Sequence, residues 1–186
     1  MELIDFIKSH VQVSSEIALE KVITKEDFPK GYLLHREGNV CRKLFFIQTG
    51  LARIFYYKDG KDITTSFVAE NTFTTAVDSF FEQKPSRYNI ELLEAGTVSW
   101  IGYDDLMQLF KESHAIERFG RMITTEFLKA YAERLTAIQF QTATERYQAL
   151  QARHPNILSR VALGHIASYL GITQETLSRL RGKKTL

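Results

Sequence analysis

The sequence predicts an α+β protein: a compact antiparallel barrel of jelly-roll type, then a long helix, then a helix-turn-helix near the C-terminus. Three observations carry that prediction. Between Phe28 and Trp100, short runs of β-forming residues alternate with turn residues. From Ala115 to about Phe140, apolar residues recur in steps mostly of three and four. From Leu163 to Arg181 the chain reads LGHIASYLGITQETLSRLR, two short segments with apolar faces on either side of Gly171.

The last stretch is the most informative. Leu163, Ile166, Ala167 and Leu170 mark one helical face, and Leu177 and Leu180 mark a second. Gly171-Ile172-Thr173 leaves room only for a tight turn, and glycine accepts a positive φ there without steric cost. Ala167 is small enough for the second helix to pack close. Thr173 suits the N-cap position, and Glu175 suits the positive end of the helix dipole. This is the spacing of a helix-turn-helix, whose second helix enters the DNA major groove.

Composition favours that reading over an ordinary pair of surface helices. Gln174, Glu175, Ser178 and Arg179 point outward, with Arg181, Lys183 and Lys184 following. Arginine forks onto guanine, glutamine pairs with adenine and glutamate accepts from cytosine, while lysines add sequence-independent affinity. Net charge is only +2, but it is unevenly spread. From Thr142 onward there are seven Lys/Arg against two Asp/Glu, so the C-terminal end carries the basic excess.

Length and composition set the bounds. The 186 residues suffice for one large or two small domains, and 44% hydrophobic with 25% charged content is that of a globular protein. One cysteine, Cys41, excludes an internal disulfide and an all-cysteine metal or iron–sulfur site within one chain, and it reads as an ordinary semi-buried thiol. The N-terminal MELIDFIKSHVQ is not a signal peptide, and no run approaches the roughly 18 apolar residues of a membrane span. A cytoplasmic location with no membrane partner is expected. The five histidines are scattered with no metal-binding spacing, so neither metal nor cofactor is implied.

In chain order, residues 1 to about 27 read as helical. Leu3, Ile4, Ile7 and Val11 form one face, and a second short helix runs from Ser14 through Ile23. The strand runs are Tyr32–Leu34, Leu44–Ile47, Ala52–Tyr57, Ile63–Val68, Tyr88–Leu93 and Thr97–Ile101. Asp59-Gly60 between two of them is a strong two-residue hairpin signal. Asp104-Asp105-Leu106 starts a helix ending near Ser113, and Thr142 to His154 forms another, capped by Thr142 or Thr144 and stopped by Pro155.

At GYLLHREGNVCRKLFFIQTGLARIFYYKDGKDITTSF the chain resembles the β-roll of the Crp/Fnr, catabolite-activator-type transcription regulators. Gly31, Gly38, Gly50 and Gly60 fall where that family places glycines at strand corners, and QETLSRLR resembles its recognition helix. The resemblance covers nearly the whole chain. It implies a cyclic-nucleotide-binding-like sensor domain over 1–114, a dimerisation helix over 115–140 and a DNA-binding domain over 141–186. Only five residues follow Arg181, so little or no β-hairpin wing is expected after the motif. The motif should then lean on the Thr142–His154 helix for its core.

The apolar seam of the central helix is Ile116, Phe119, Ile123, Phe127, Ala130, Tyr131, Leu135 and Ile138. A core helix on the barrel is the plainer reading. A seam this long exceeds what one small barrel needs to cover, so a dimer interface is expected. By resemblance, the family's Arg-Glu-Thr-x-x-Arg reading pattern falls on Gln174, Glu175, Thr176 and Arg179. Gln174 replaces the leading arginine, Ser178 lies within the pattern, and Thr173 and Arg181 flank it. His165 is expected to meet solvent or a DNA phosphate.

The resemblance weakens at the nucleotide pocket. Without gaps, the family's ribose-binding Gly-Glu pair falls on Thr75 and Ala76, and its phosphate-binding Arg-Ser pair on Ser86 and Arg87. The carboxylate is missing and the arginine is displaced by one position, which turns it to the other face of an extended segment. The adenine-reading pair falls near Tyr131 and Ala132. Cyclic AMP is therefore not the expected ligand, although Asp78, Ser86, Arg87 and Tyr131 remain candidates for another small molecule. The expected partners are double-stranded DNA, a second copy of the chain, RNA polymerase and an effector of unknown identity. The rivals are a small-molecule-binding module with weak DNA binding, and a cupin-like metalloenzyme.

Overall fold

Among the described residues, eight strands make two four-stranded antiparallel sheets rather than one closed barrel. The structure is a computed structural model, and it describes residues 1–12 and 19–182. The N-terminal helices are α1 (Leu3–His10) and α2 (Leu19–Val22). The strands are β1 (Ile23–Phe28), β2 (Leu33–His35), β3 (Lys43–Ile47), β4 (Ala52–Lys58), β5 (Lys61–Val68), β6 (Thr72–Thr74), β7 (Asn89–Leu92) and β8 (Gly96–Gly102), with α3 (Val77–Phe80) between β6 and β7. One sheet runs β1-β8-β3-β6 and the other β2-β7-β4-β5. The helices that follow are α4 (Tyr103–Glu112), α5 (His114–Phe140), α6 (Ala143–Arg153), α7 (Ile157–Arg160), α8 (Leu163–Leu170) and α9 (Gln174–Gly182).

The turn chemistry read from the sequence is what closes the roll. Asp59 and Gly60 both take positive φ, +50° and +72°, the two-residue hairpin geometry that matches strand twist. Gly31, Gly38 and Gly50 also have positive φ, as the corner positions require. Gly96 serves a close approach instead: a Cβ there would lie 2.3 Å from the Thr49 carbonyl oxygen. Cys41 is fully buried rather than semi-buried, with Sγ 3.3 Å from Thr75 Oγ1.

Two expectations need correction in this region. Residues 23–27 are not helical, because Ile23–Phe28 pairs in register with β8 from Ile101 to Gly96. Only its last residue is buried, so this edge strand lacks the apolar alternation that announces one. The expected second helix falls over 14–18 outside the described residues, and the helical part of the rest is α2.

Helix α5 starts one residue before the expected Ala115, with the Ser113 side chain capping the Ile116 amide. Its apolar residues do not form one seam. Ile116 and Phe119 are buried, and Ile123 and Phe127 pack on the same cluster as Leu3, Ile7, Phe46 and Phe73. Leu128, Tyr131, Leu135 and Ile138 are instead 54–68% exposed. At 3.6 residues per turn the second set lies roughly a quarter-turn round the axis from the first. Ile116 and Phe119 are therefore core residues of the roll and are not available to a partner. Leu128, which the sequence reading omitted, belongs with the outer set.

The C-terminal helices do not build their core alone. Leu51, Phe67 and Leu93 of the roll join Tyr147, Ile166, Ala167 and Leu177 in a single apolar cluster, so α6 is not the motif's only support. Phe67 meets Tyr169 with ring centroids 5.2 Å apart.

Candidate nucleic-acid interface and effector groove

Helices α8 and α9 are joined at Gly171, whose φ of +67° and ψ of +36° are left-handed. The Gly171 and Ile172 amides return to Ser168 and Ala167 carbonyls, which closes the end of α8 in three residues. Thr173 Oγ1 then accepts from the Thr176 amide at 3.2 Å, the N-cap bond expected of it. Leu177 is fully buried against Ile166 and Leu170 and fixes how α9 lies across α8.

With Leu177 turned inward, Gln174, Glu175, Ser178, Arg179 and Arg181 are all exposed on α9. Thr176 is partly covered, its hydroxyl 3.1 Å from Thr173 Oγ1. Gln174 does not project freely: its Nε2 lies 3.1 Å from where a Cβ on Gly164 would be. Lys183 and Lys184 lie outside the described residues.

The motif is held from three sides. Arg134 of α5 donates to the Tyr169 carbonyl and stacks over its ring at 4.1 Å. Arg146 of α6 donates to the Leu170 carbonyl at 3.1 Å, so two cations sit at the carbonyl end of α8, where the helix dipole favours them. Thr142 and Glu145 form a reciprocal capping box that starts α6. On the third side, Arg160 of α7 forks onto Glu70 and Glu94 of two roll loops, with contacts of 2.5 to 3.2 Å. These paired charges hold its guanidinium well above its ordinary pKa.

A fourth contact ties α8 to the roll. His165 is partly buried, and its Nδ1 accepts from Arg53 Nη1 of β4 at 2.9 Å, so one ring nitrogen is engaged within the chain. The sequence held no signal for this pairing, since 112 residues separate the two. Burial and Arg53 push the imidazole below its ordinary pKa, against Asp62 and Glu91, which pull the other way.

A two-sheet roll, a long helix and a docked helix-turn-helix, in that order, can be set beside known proteins. Residues 25–113 match the cyclic nucleotide-binding domain family. The anaerobic regulatory protein of Bacillus subtilis (strain 168) is 29% identical over 130 residues, covering 68% of this chain. The chain spans about half of that relative, 52%. Among solved structures, FixK2 from Bradyrhizobium japonicum superposes with a TM-score of 0.76 at 18% identity, covering 87% of this chain and 84% of its own. A CooA mutant from Carboxydothermus hydrogenoformans gives 0.72 at 15% identity over 98% of this chain and 84% of its own. At that identity the two structures speak for the fold.

In the domain that it matches and in its fold, the chain resembles the Crp/Fnr family. Members of that family are transcription regulators, not enzymes.

A space remains between the roll and the central helix. It is an open groove of about 1150 Å3, lined on the roll side by Ile54, Tyr56, Ile63, Val77 and Tyr88 and on the α5 side by Met122, Phe127, Ala130 and Tyr131. The segment from α3 to β7 beside it is already satisfied from within. Asp78 Oδ1 accepts from Ser86 Oγ at 2.8 Å, and Oδ2 accepts from the Arg87 amide at 3.3 Å. Ser86 is buried and turned to Asp78, while the Arg87 side chain is exposed and does not line the groove.

Of the four candidate ligand residues, Asp78, Ser86 and the Arg87 backbone therefore form one internal corner, with Tyr131 near it across Tyr88. Partial burial, then Tyr88 and Asp78, raise the Tyr131 phenol. Burial and then Asp78 raise that of Tyr88. The sequence reading missed Tyr56 and Tyr88, which are set edge to face at 5.8 Å.

Proposed function

We propose that the chain is a DNA-binding transcription regulator that acts as a homodimer on a two-fold symmetric duplex site. The observation that carries this reading is the exposed outer face of α9. Gln174, Glu175, Ser178 and Arg179 are exposed together, while Leu177 opposite them is fully buried. Glu175 and Arg179 are the main base readers, with Gln174 changing the preference where the family has arginine. Arg181, Lys183 and Lys184 contact phosphate. The parts are a sensor over 1–114, a dimerisation helix over 115–140 and a DNA-binding unit over 141–186, working in the cytoplasm with RNA polymerase as a further partner. The described helices include none long and apolar enough to cross a membrane.

The dimer seam is the outer stripe of α5. Leu128, Tyr131, Leu135 and Ile138 follow one another in steps of three, four and three, the spacing of a two-stranded coiled coil. Two copies meeting there would relate their α9 helices by a two-fold axis, as a palindromic half-site pair requires.

The effector is not a cyclic nucleotide. The serine hydroxyl and backbone amide that would meet a phosphate are taken by the Asp78 carboxylate. That carboxylate also opposes a second anion at short range. The experiment that tests the DNA reading is fluorescence anisotropy of a labelled random-sequence duplex at increasing salt. Affinity should fall linearly on logarithmic axes, with a slope of about −0.9 for each phosphate neutralised. Salt-independent binding, or none at low salt, would overturn the proposal.

A further inference from the structure

The contact between α8 and the roll contains a chemical asymmetry. Arg53 is 4% exposed, and its Nε donates to Glu91 Oε2 at 2.7 Å. Around Nη1 stand Asp62 Oδ1 at 2.6 Å, His165 Nδ1 at 2.9 Å and Thr64 Oγ1 at 3.2 Å. A guanidinium only donates, so His165 must present a lone pair at Nδ1 and carry its hydrogen on Nε2. Protonation would put a hydrogen at Nδ1, pointing at a buried cation. Beside this contact, the Thr64 amide donates to Ser168 Oγ at 3.0 Å, and the Ser168 hydroxyl donates to the Asp62 carbonyl at 2.9 Å.

We propose that the α8–β5 junction is a proton-sensitive latch: neutral His165 holds the helix-turn-helix on the roll, and protonation of its Nδ1 releases it. The charged groups facing the imidazole are Arg53 from β4, Asp62 from β5 and Glu91 from β7. The two carboxylates favour the imidazolium, but both are engaged by Arg53 itself, and burial and the guanidinium prevail. The docked state therefore has a lower imidazole pKa than the released one, in which the ring returns to the ordinary value of about 6.5. Docking is complete above that value and weakens as pH falls through the docked pKa. Each unit of difference between the two states is about a tenfold change in the docking equilibrium.

The latch concerns posture alone. Its consequence for DNA binding rests on the function proposed above, so its test needs no DNA. Hydrogen exchange of the full chain from pH 8 to pH 5.5 reads the Thr64 amide, which is itself part of the latch. Once corrected for intrinsic exchange, its protection should fall at least severalfold on acidification, with strands away from the junction unchanged. His165→Asn keeps an acceptor at every pH and should abolish the fall. Ser168→Ala should leave protection low throughout. His154 is the other half-buried histidine of this region, and His154→Gln should leave the transition in place. An unchanged wild-type profile would overturn the latch, as would a transition that survives in His165→Asn or disappears in His154→Gln. A latch that opens without altering DNA affinity would count against the DNA role alone.

Discussion

The two halves of α5 have the same kind of sequence and opposite surroundings. In the first, Ile116 and Phe119 are buried and Ile123 and Phe127 pack behind them on the roll. In the second, Leu128, Tyr131, Leu135 and Ile138 recur at the same spacing and are more than half exposed. Nothing in hydropathy distinguishes them, because periodicity states that a face is apolar without saying what covers it. The difference lies in phase. The inner set follows the N-terminal helices and β3, whereas the outer set stays more than half exposed, with Tyr131 at the edge of the groove. An unpartnered apolar stripe that long is what a second copy would bury.

Mutations that treat the halves unequally test the contrast. The largest effect is expected at Phe119, whose ring lies 5.8 Å from Phe73 and 6.3 Å from Phe6. Phe119→Ala should cost about 3–5 kcal/mol by urea denaturation. A loss below 1 kcal/mol would mean that the inner half is not core. Next is Gly120, where a Cβ would lie 2.4 Å from the Phe110 ring. Gly120→Ala should cost about 1–3 kcal/mol through overpacking of α4 on α5, and an unchanged melting curve would show that Phe110 moves aside freely.

The outer half should behave differently. Leu135→Ala should change monomer stability by no more than about 0.5 kcal/mol, yet weaken the dimer in sedimentation analysis. A destabilised monomer with an intact dimer would reverse the assignment of the two halves. Arg179→Ala separates reading from pairing: it should cost about 1–3 kcal/mol of DNA affinity and relax preference at one base pair, leaving the dimer intact. Equal loss on cognate and random duplexes would argue against base readout. The smallest effect is expected at Lys183, where Lys183→Ala should weaken all duplexes alike and lower the salt slope by about one. A loss confined to the cognate site would remove it from the phosphate contacts.

How much of this was legible depended on where the physics is local. The Asp59-Gly60 hairpin, the turn at Gly171 and a threonine cap at Thr142 or Thr144 each depend on a few adjacent residues, and each was readable. β1 was missed because Ile-Thr-Lys-Glu-Asp-Phe buries one end only, and β6 because three residues carry no period. The pairings of Arg53 with His165 and of Arg160 with Glu70 and Glu94 span 66 to 112 residues. Only folding chooses such partners. Between α3 and β7, alignment placed Ser86 and Arg87 but could not show Asp78 turned inward onto them.

The central claim is that a two-fold dimer, built on the outer face of α5, presents α9 to DNA. In-vitro selection of bound duplexes from a random pool tests it most directly. The account predicts enrichment of a palindrome whose half-sites lie one helical turn apart, about 34–36 Å, and its loss with Leu135→Asp. Enrichment of a single unpaired half-site, or a palindrome that survives that substitution, would contradict it.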